Sequence, residues 1–221
     1  MTDDYPDAFE RKLVHHCTPA LAAIKPANLF TCPLPDRAAE LSGEQADRDR
    51  ERRFRRALSR ARDKLAPRGV RIEVLARRRT GALLYVYRPD LVMQAVTADP
   101  AAEFLRSEGY DTTSLSLCIE HLHRRICGTD LNSAASGSCE FPHEIGLFLG
   151  YPFDDVMGFI RNGGENFLCC GCWKVYSRQR DAQDCFCRYK ACTAAYDALY
   201  AQGIGIEQLA AVGATELALV G

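Results

Sequence analysis

Hydrophobic positions along this chain recur in two rhythms. Val70, Ile72 and Val74 alternate with Arg71 and Glu73, the period of a strand with one face in water. After a turn at Arg79-Thr80-Gly81, Leu83, Tyr85 and Tyr87 alternate with Leu84 and Val86, so the return strand is apolar on both faces. The pair predicts a hairpin over Val70–Arg88. Phe167 to Tyr176 is rich in aromatic and β-branched residues and predicts a third strand beside it.

Elsewhere the spacing is helical. Phe9 to Val14 predicts a short amphipathic helix. Thr18 as N-cap and Pro19 at the first helical position predict a new one, carrying Leu21, Ala22 and Ile24 and stopping before Pro26. Ala27-Asn28-Leu29-Phe30 then leads into a loop containing Pro33 and Pro35. Asp36 to Leu65 interleaves Arg with Asp and Glu around Phe54, Leu58 and Leu65, which predicts a solvated helix with one narrow buried stripe. Further helices are predicted from Pro89, from Asp99-Pro100, after Thr113-Ser114, after Phe141-Pro142, from Pro152, over Arg178–Ala201 and near Ile206–Val212. The Gly/Ser/Asn-rich segment Cys127–Cys139 predicts a mobile loop. The sum is one α+β domain over residues 1–221, a small antiparallel sheet covered by several helices. The competing architecture is a mostly helical domain with an isolated hairpin.

Charge and composition narrow the function little. The 221 residues are 47% hydrophobic with a net charge of -1, so no global field favours nucleic acid, anionic lipid or a polyanion. The acidic start Met1-Thr2-Asp3-Asp4 does not look like a signal peptide, and no apolar run is long enough to span a bilayer. The expected compartment is therefore the cytoplasm, with no membrane partner. Eleven cysteines in a reducing compartment are not expected to form disulfides. They are core residues, metal ligands or redox thiols.

Several long phrases stand in one order: His16-Cys17-Thr18-Pro19, Ile24-Lys25-Pro26-Ala27-Asn28-Leu29-Phe30, Phe141-Pro142-His143-Glu144-Ile145-Gly146, Gly150-Tyr151-Pro152, Asp155-Val156-Met157-Gly158-Phe159-Ile160 and Cys170-Gly171-Cys172-Trp173-Lys174-Val175-Tyr176. Together they resemble a bacterial family catalogued as domain of unknown function 3793. The resemblance implies no established activity and points to anaerobic bacteria as the usual source. The chain departs from the family at Cys172, where an aromatic residue is usual, and in the Gly/Ser loop before Phe141.

Two constellations carry candidate chemistry. In the first, Cys17 precedes a predicted helix start, where free amide groups and the helix dipole would stabilise a thiolate. His143 and Glu144 open another predicted helix. If these starts meet, Cys17, His143 and Glu144 form a catalytic set, with His16, Lys25 and Asn28 as ligand contacts. In the second, Cys169, Cys170 and Cys172 offer thiolates for a transition metal, zinc or iron, with Cys185, Cys187 and Cys192 near in sequence. Strand alternation and the helical offset of Cys185 from Cys187 both argue against a four-thiolate cage. Trp173 and Lys174, beside these cysteines, complete the candidate ligand contacts. The helix pair joined by Gly150-Tyr151-Pro152 has the rhythm of a helix-turn-helix, but Asp154 and Asp155 stand where DNA would press, which favours packing.

The leading expectation is a cytoplasmic protein whose Cys/His site binds a metal or a thiol-linked small ligand in anaerobic redox or metal metabolism. A non-catalytic protein-interaction module is the second expectation and a nucleic-acid-binding regulator the third. The sequence leaves open whether the chain is an enzyme, and its oligomeric state.

Overall fold

A stripe of apolar residues four apart, Tyr5, Phe9, Leu13, Cys17 and Leu21, runs the length of helix α1 (Tyr5–Leu21), and all of them are buried. The computed structural model describes residues 5–38, 41–78, 81–128 and 141–211. The helix does not break at Thr18-Pro19. A proline in a helix interior costs about 3 kcal/mol. Here it lies in the last turn, and burying even one leucine side chain returns about 1.5–3 kcal/mol. Thr18 caps nothing; its hydroxyl donates back to the Val14 carbonyl at 2.6 Å. Cys17 consequently sits inside a helix, not at its start.

The segment read as a loop after Pro26 is a strand, β1 (Ala27–Pro33). Phe30 and Cys32 are buried while Thr31 and Pro33 are exposed, the alternation of a half-buried strand. Pro33 is its last residue, on a sheet edge where a missing N–H is tolerated. The hairpin forms as expected from β2 (Arg71–Arg78) and β3 (Gly81–Tyr87). Strand order is β1-β3-β2, antiparallel throughout, with β1 registered from Ala27 opposite Tyr87 to Pro33 opposite Gly81.

Because β1 occupies the second edge of β3, the later strand has no place there. The segment predicted to join the sheet folds instead into its own hairpin, β4 (Cys169–Cys170) and β5 (Lys174–Val175), with Cys169 opposite Val175. The α+β class holds; the identity of the third strand does not.

The sheet divides the core. Ala82, Leu84 and Val86 face α1, α2 (Gly43–Leu65), α8 (Gln179–Ala201) and α9 (Ile206–Leu209). Tyr85 and Tyr87 face α3 (Pro89–Thr97), α4 (Ala101–Ser107), α5 (Leu115–Ile126), α6 (Ile145–Phe148) and α7 (Phe153–Arg161). The Tyr85 hydroxyl donates to the Phe148 carbonyl at 2.8 Å, which fixes α6 against the sheet. The loop predicted over 127–139 lies, from residue 129 onward, outside the described residues. Among the described residues no helix is long and apolar enough to cross a membrane.

Candidate functional site

The turn that follows α1 is held from several sides. Ala23 adopts a positive φ of 57°, and the amides of Ile24 and Lys25 both donate to the Pro19 carbonyl at 3.0 Å. Arg88 caps the helix end: its guanidinium donates to the carbonyls of Ala20 (2.8 Å), Leu21 and Ala210 (3.0 Å). The next residue, Pro26, wedges against Gly150. That glycine has φ +73°, and a Cβ there would stand 2.5 Å from the proline ring. Lys25 is thus presented by a rigid turn locked to the joint that carries Tyr151.

The Lys25 side chain is only 5% exposed, with its ammonium 4.9 Å from the centre of the Tyr151 ring. Among the described residues it has no hydrogen-bond or ion-pair partner. Burial is the main influence on it and pushes its pKa from 10.5 down to about 8, with Cys172, Cys17 and Cys185 near enough to act in the opposite sense.

A cleft of about 640 Å³ opens over this amine, bounded by His16, Asn28, Tyr151, Cys172, Phe186 and Tyr189. The His16 ring stacks on Phe30 at 4.9 Å, and partial burial lowers its pKa, helped by the neighbouring His15 and Lys12. The Cys172 thiol is raised by burial while the charge of Lys25 draws it back. The Asn28 side-chain Oδ1 accepts from the Ala20 amide at 3.2 Å and ties this part of the cleft to α1. A second cavity of about 340 Å³ is lined by His143, Phe159, Trp173 and Lys174. Tyr151 and Cys172 border both cavities.

Asp155 lines the second cavity and anchors the hairpin beside it. It is 2% exposed and receives the Trp173 indole N–H at 2.7 Å, the Tyr176 and Ser177 amides at 2.8 Å each, and the Ser177 hydroxyl at 3.0 Å. Trp173, so fixed, stacks on Tyr151 at 5.0 Å and meets Phe186 edge-on at 4.5 Å. The acidic start of α7 therefore pins the β4–β5 hairpin, which is the packing role expected for this helix pair.

The structure sorts the candidate residues. His16, Lys25 and Asn28 share one cleft. Cys17 does not join them at its surface: it is fully buried among core side chains, and burial raises its thiol far above the usual range. Its expected partners lie elsewhere. His143 lines the smaller cavity, 4.8 Å from the Phe159 ring. Glu144 turns inward, accepting from the Tyr110 hydroxyl at 2.7 Å and pairing with Arg125 at 2.9 Å, so it is a structural carboxylate. The catalytic set built on Cys17 fails because the unbroken helix α1 turns that thiol into the core.

Trp173 and Lys174 are occupied in holding the hairpin; the Lys174 ammonium donates to the Gly164 carbonyl at 2.7 Å. Cys169, Cys170 and Cys172 do not converge. Adjacent strand positions point Cys169 and Cys170 to opposite faces, and Cys172 sits in the turn. Among the described residues no three His, Cys, Asp or Glu side chains come close enough to hold a metal ion. Tyr151, Phe186 and Tyr189 were not singled out from the sequence; the tight Gly150-Tyr151-Pro152 joint was the one signal available.

The phrases that carry the family resemblance meet at this site: Lys25 and Pro26 from one, Gly150 and Tyr151 from another, Asp155 from a third and Cys172 to Tyr176 from a fourth. Neither a curated protein nor a solved structure matches the chain. The family described as "Protein of unknown function (DUF3793)" matches it over residues 13–210, and the chain belongs to that family.

Proposed function

We propose that the chain is a small-molecule-binding protein whose ligand sits in the Lys25 cleft. The ligand carries an electron-rich oxygen head, a carboxylate, phosphate or carbonyl, that faces the Lys25 amine. A flat body rests against Tyr151, Phe186 and Tyr189. The observation that carries this reading is a lysine 5% exposed at the wall of a cleft of about 640 Å³, with no hydrogen-bond or ion-pair partner among the described residues. Burying an amine unpaired is costly, and such a group is retained where something else completes it. Cys172 also lines this cleft.

The test is thermal unfolding with a panel of benzoate, acetate, inorganic phosphate and benzaldehyde. A ligand at a hundred times its Kd stabilises the folded state by about 2.7 kcal/mol. At least one member is expected to raise the unfolding temperature of the native chain and to lose that effect in Lys25→Met. A shift that survives undiminished in Lys25→Met, or no shift with any compound, refutes the reading.

A further inference from the structure

We propose that Lys25 is a nucleophile toward carbonyl compounds, its amine condensing with a small aldehyde or ketone in the cleft to form an imine. This rests on the ligand-binding reading above and names the class of ligand. The chain has five lysines, all among the described residues. Lys64 is paired with Glu10 at 2.9 Å and lies 3.6 Å from Glu207. Lys174 donates to a backbone carbonyl at 2.7 Å. Lys190 is exposed and Lys12 partly so. Lys190 lines the same cleft but is exposed; Lys25 alone of the five is buried there without a polar partner among the described residues.

The surroundings suit the neutral amine. Burial disfavours the charged form, and no carboxylate among the described residues pairs with the ammonium to offset it; the Tyr151 ring at 4.9 Å is its one charge-favouring aromatic contact. A lysine desolvated in this way carries a far larger neutral fraction near pH 8 than an exposed amine does, the usual route to an activated amine. The cleft also supplies proton carriers. His16 is on its wall with its pKa lowered, so a neutral ring is present to accept a proton.

The step balances without an oxidant or reductant. The Lys25 Nζ lone pair forms a bond to the carbonyl carbon, and the C=O π pair moves to oxygen, which takes a proton. The nitrogen gives up a proton to His16 or solvent. The carbinolamine hydroxyl then takes a proton and leaves as water, the nitrogen lone pair forms the C=N bond, and the nitrogen gives up its remaining proton to His16 or solvent. The aromatic side chains of the cleft favour a flat substituent on the carbonyl, which places benzaldehyde among the simplest probes.

The experiment incubates the full chain with benzaldehyde and sodium cyanoborohydride, then maps the benzylated lysines by peptide mass spectrometry. The adduct is expected on Lys25 in about tenfold excess over each other lysine, as for a selectively activated amine. Its formation should rise with pH around a midpoint near 8, where a surface lysine would need a pH near 10.5. Even labelling of all lysines, labelling confined to Lys12 and Lys190, or no adduct overturns the inference. So does a Lys25 preference that persists in the urea-unfolded chain, because that would reflect local sequence and not the cleft. If benzoate or benzaldehyde raises the unfolding temperature while Lys25 stays unmodified, this inference falls and the binding reading stands. If no compound binds and none reacts, both fall.

Discussion

Replacing Lys25 with methionine removes a buried charge and keeps most of the side-chain volume. In the folded chain burial lowers the lysine pKa from 10.5 to about 8. At about 1.4 kcal/mol for each tenfold change in proton affinity, keeping the ammonium buried at pH 7 costs about 3 kcal/mol. The contact with the Tyr151 ring is lost in the variant, a loss of about 1 kcal/mol. Lys25→Met is therefore expected to be more stable than the native chain at pH 7 by about 2 kcal/mol. With a urea slope of about 2 kcal/mol/M, the unfolding midpoint moves up by about 1 M. The sign of the pH dependence is fixed by the same shift. Between pH 8 and 10.5 the unfolded chain holds more protons on Lys25 than the folded chain does, so native stability rises with pH there relative to the variant. The gap is flat below pH 8 and narrows above it. Urea unfolding of both proteins from pH 6 to 9.5 reads this directly. A less stable Lys25→Met, or a gap that does not change across that range, refutes the account of Lys25 as a buried and uncompensated amine.

Gly150→Ala is expected to destabilise the fold by about 1–3 kcal/mol, since the new methyl meets the Pro26 ring in a left-handed backbone; a lowered melting temperature checks it. Asp155→Ala leaves the amides of Tyr176 and Ser177 and the Trp173 indole without their acceptor, at about 3 kcal/mol, and should shift the emission of the chain's single tryptophan to the red. Glu144→Gln breaks the buried contact with Arg125 and should cost about 3 kcal/mol in urea unfolding. Iodoacetamide mapping of the native chain should label Cys127, Cys170 and Cys187 early and Cys17, Cys32 and Cys118 only on unfolding; rapid native labelling of Cys17 would contradict its placement in the core.

What the sequence made legible was local pattern. The β2–β3 hairpin could be read because each residue from Val70 to Val74 and from Leu83 to Tyr87 reports its own face. The helices from Pro89 to Ile206 announced themselves by capping residues and apolar spacing. The start of the chain misled because Thr18-Pro19 has the local chemistry of a helix beginning, whereas the four-residue stripe from Tyr5 to Leu21 decides the matter over a longer span. Strand β1 was hidden by Pro33 and Pro35, and its exclusion of a later strand from β3 is a property of the whole sheet. The site divides the same way. His16, Lys25 and Asn28 lie close in the chain and were found together. That Tyr151 covers Lys25, or that Cys172 and not Cys17 reaches the cleft, depends on turns far apart in sequence, and single-segment periodicity carries no record of that.

Arg88 gathers carbonyls from Ala20, Leu21, Arg68 and Ala210. One side chain thereby staples residues some 190 positions apart to the elbow that aims Lys25. A chain shortened before Ala210 would leave one donor of that staple without its acceptor at the elbow's base. A truncation that removes Ala210 is thus an intervention on the aim of the amine, made far from it along the polypeptide.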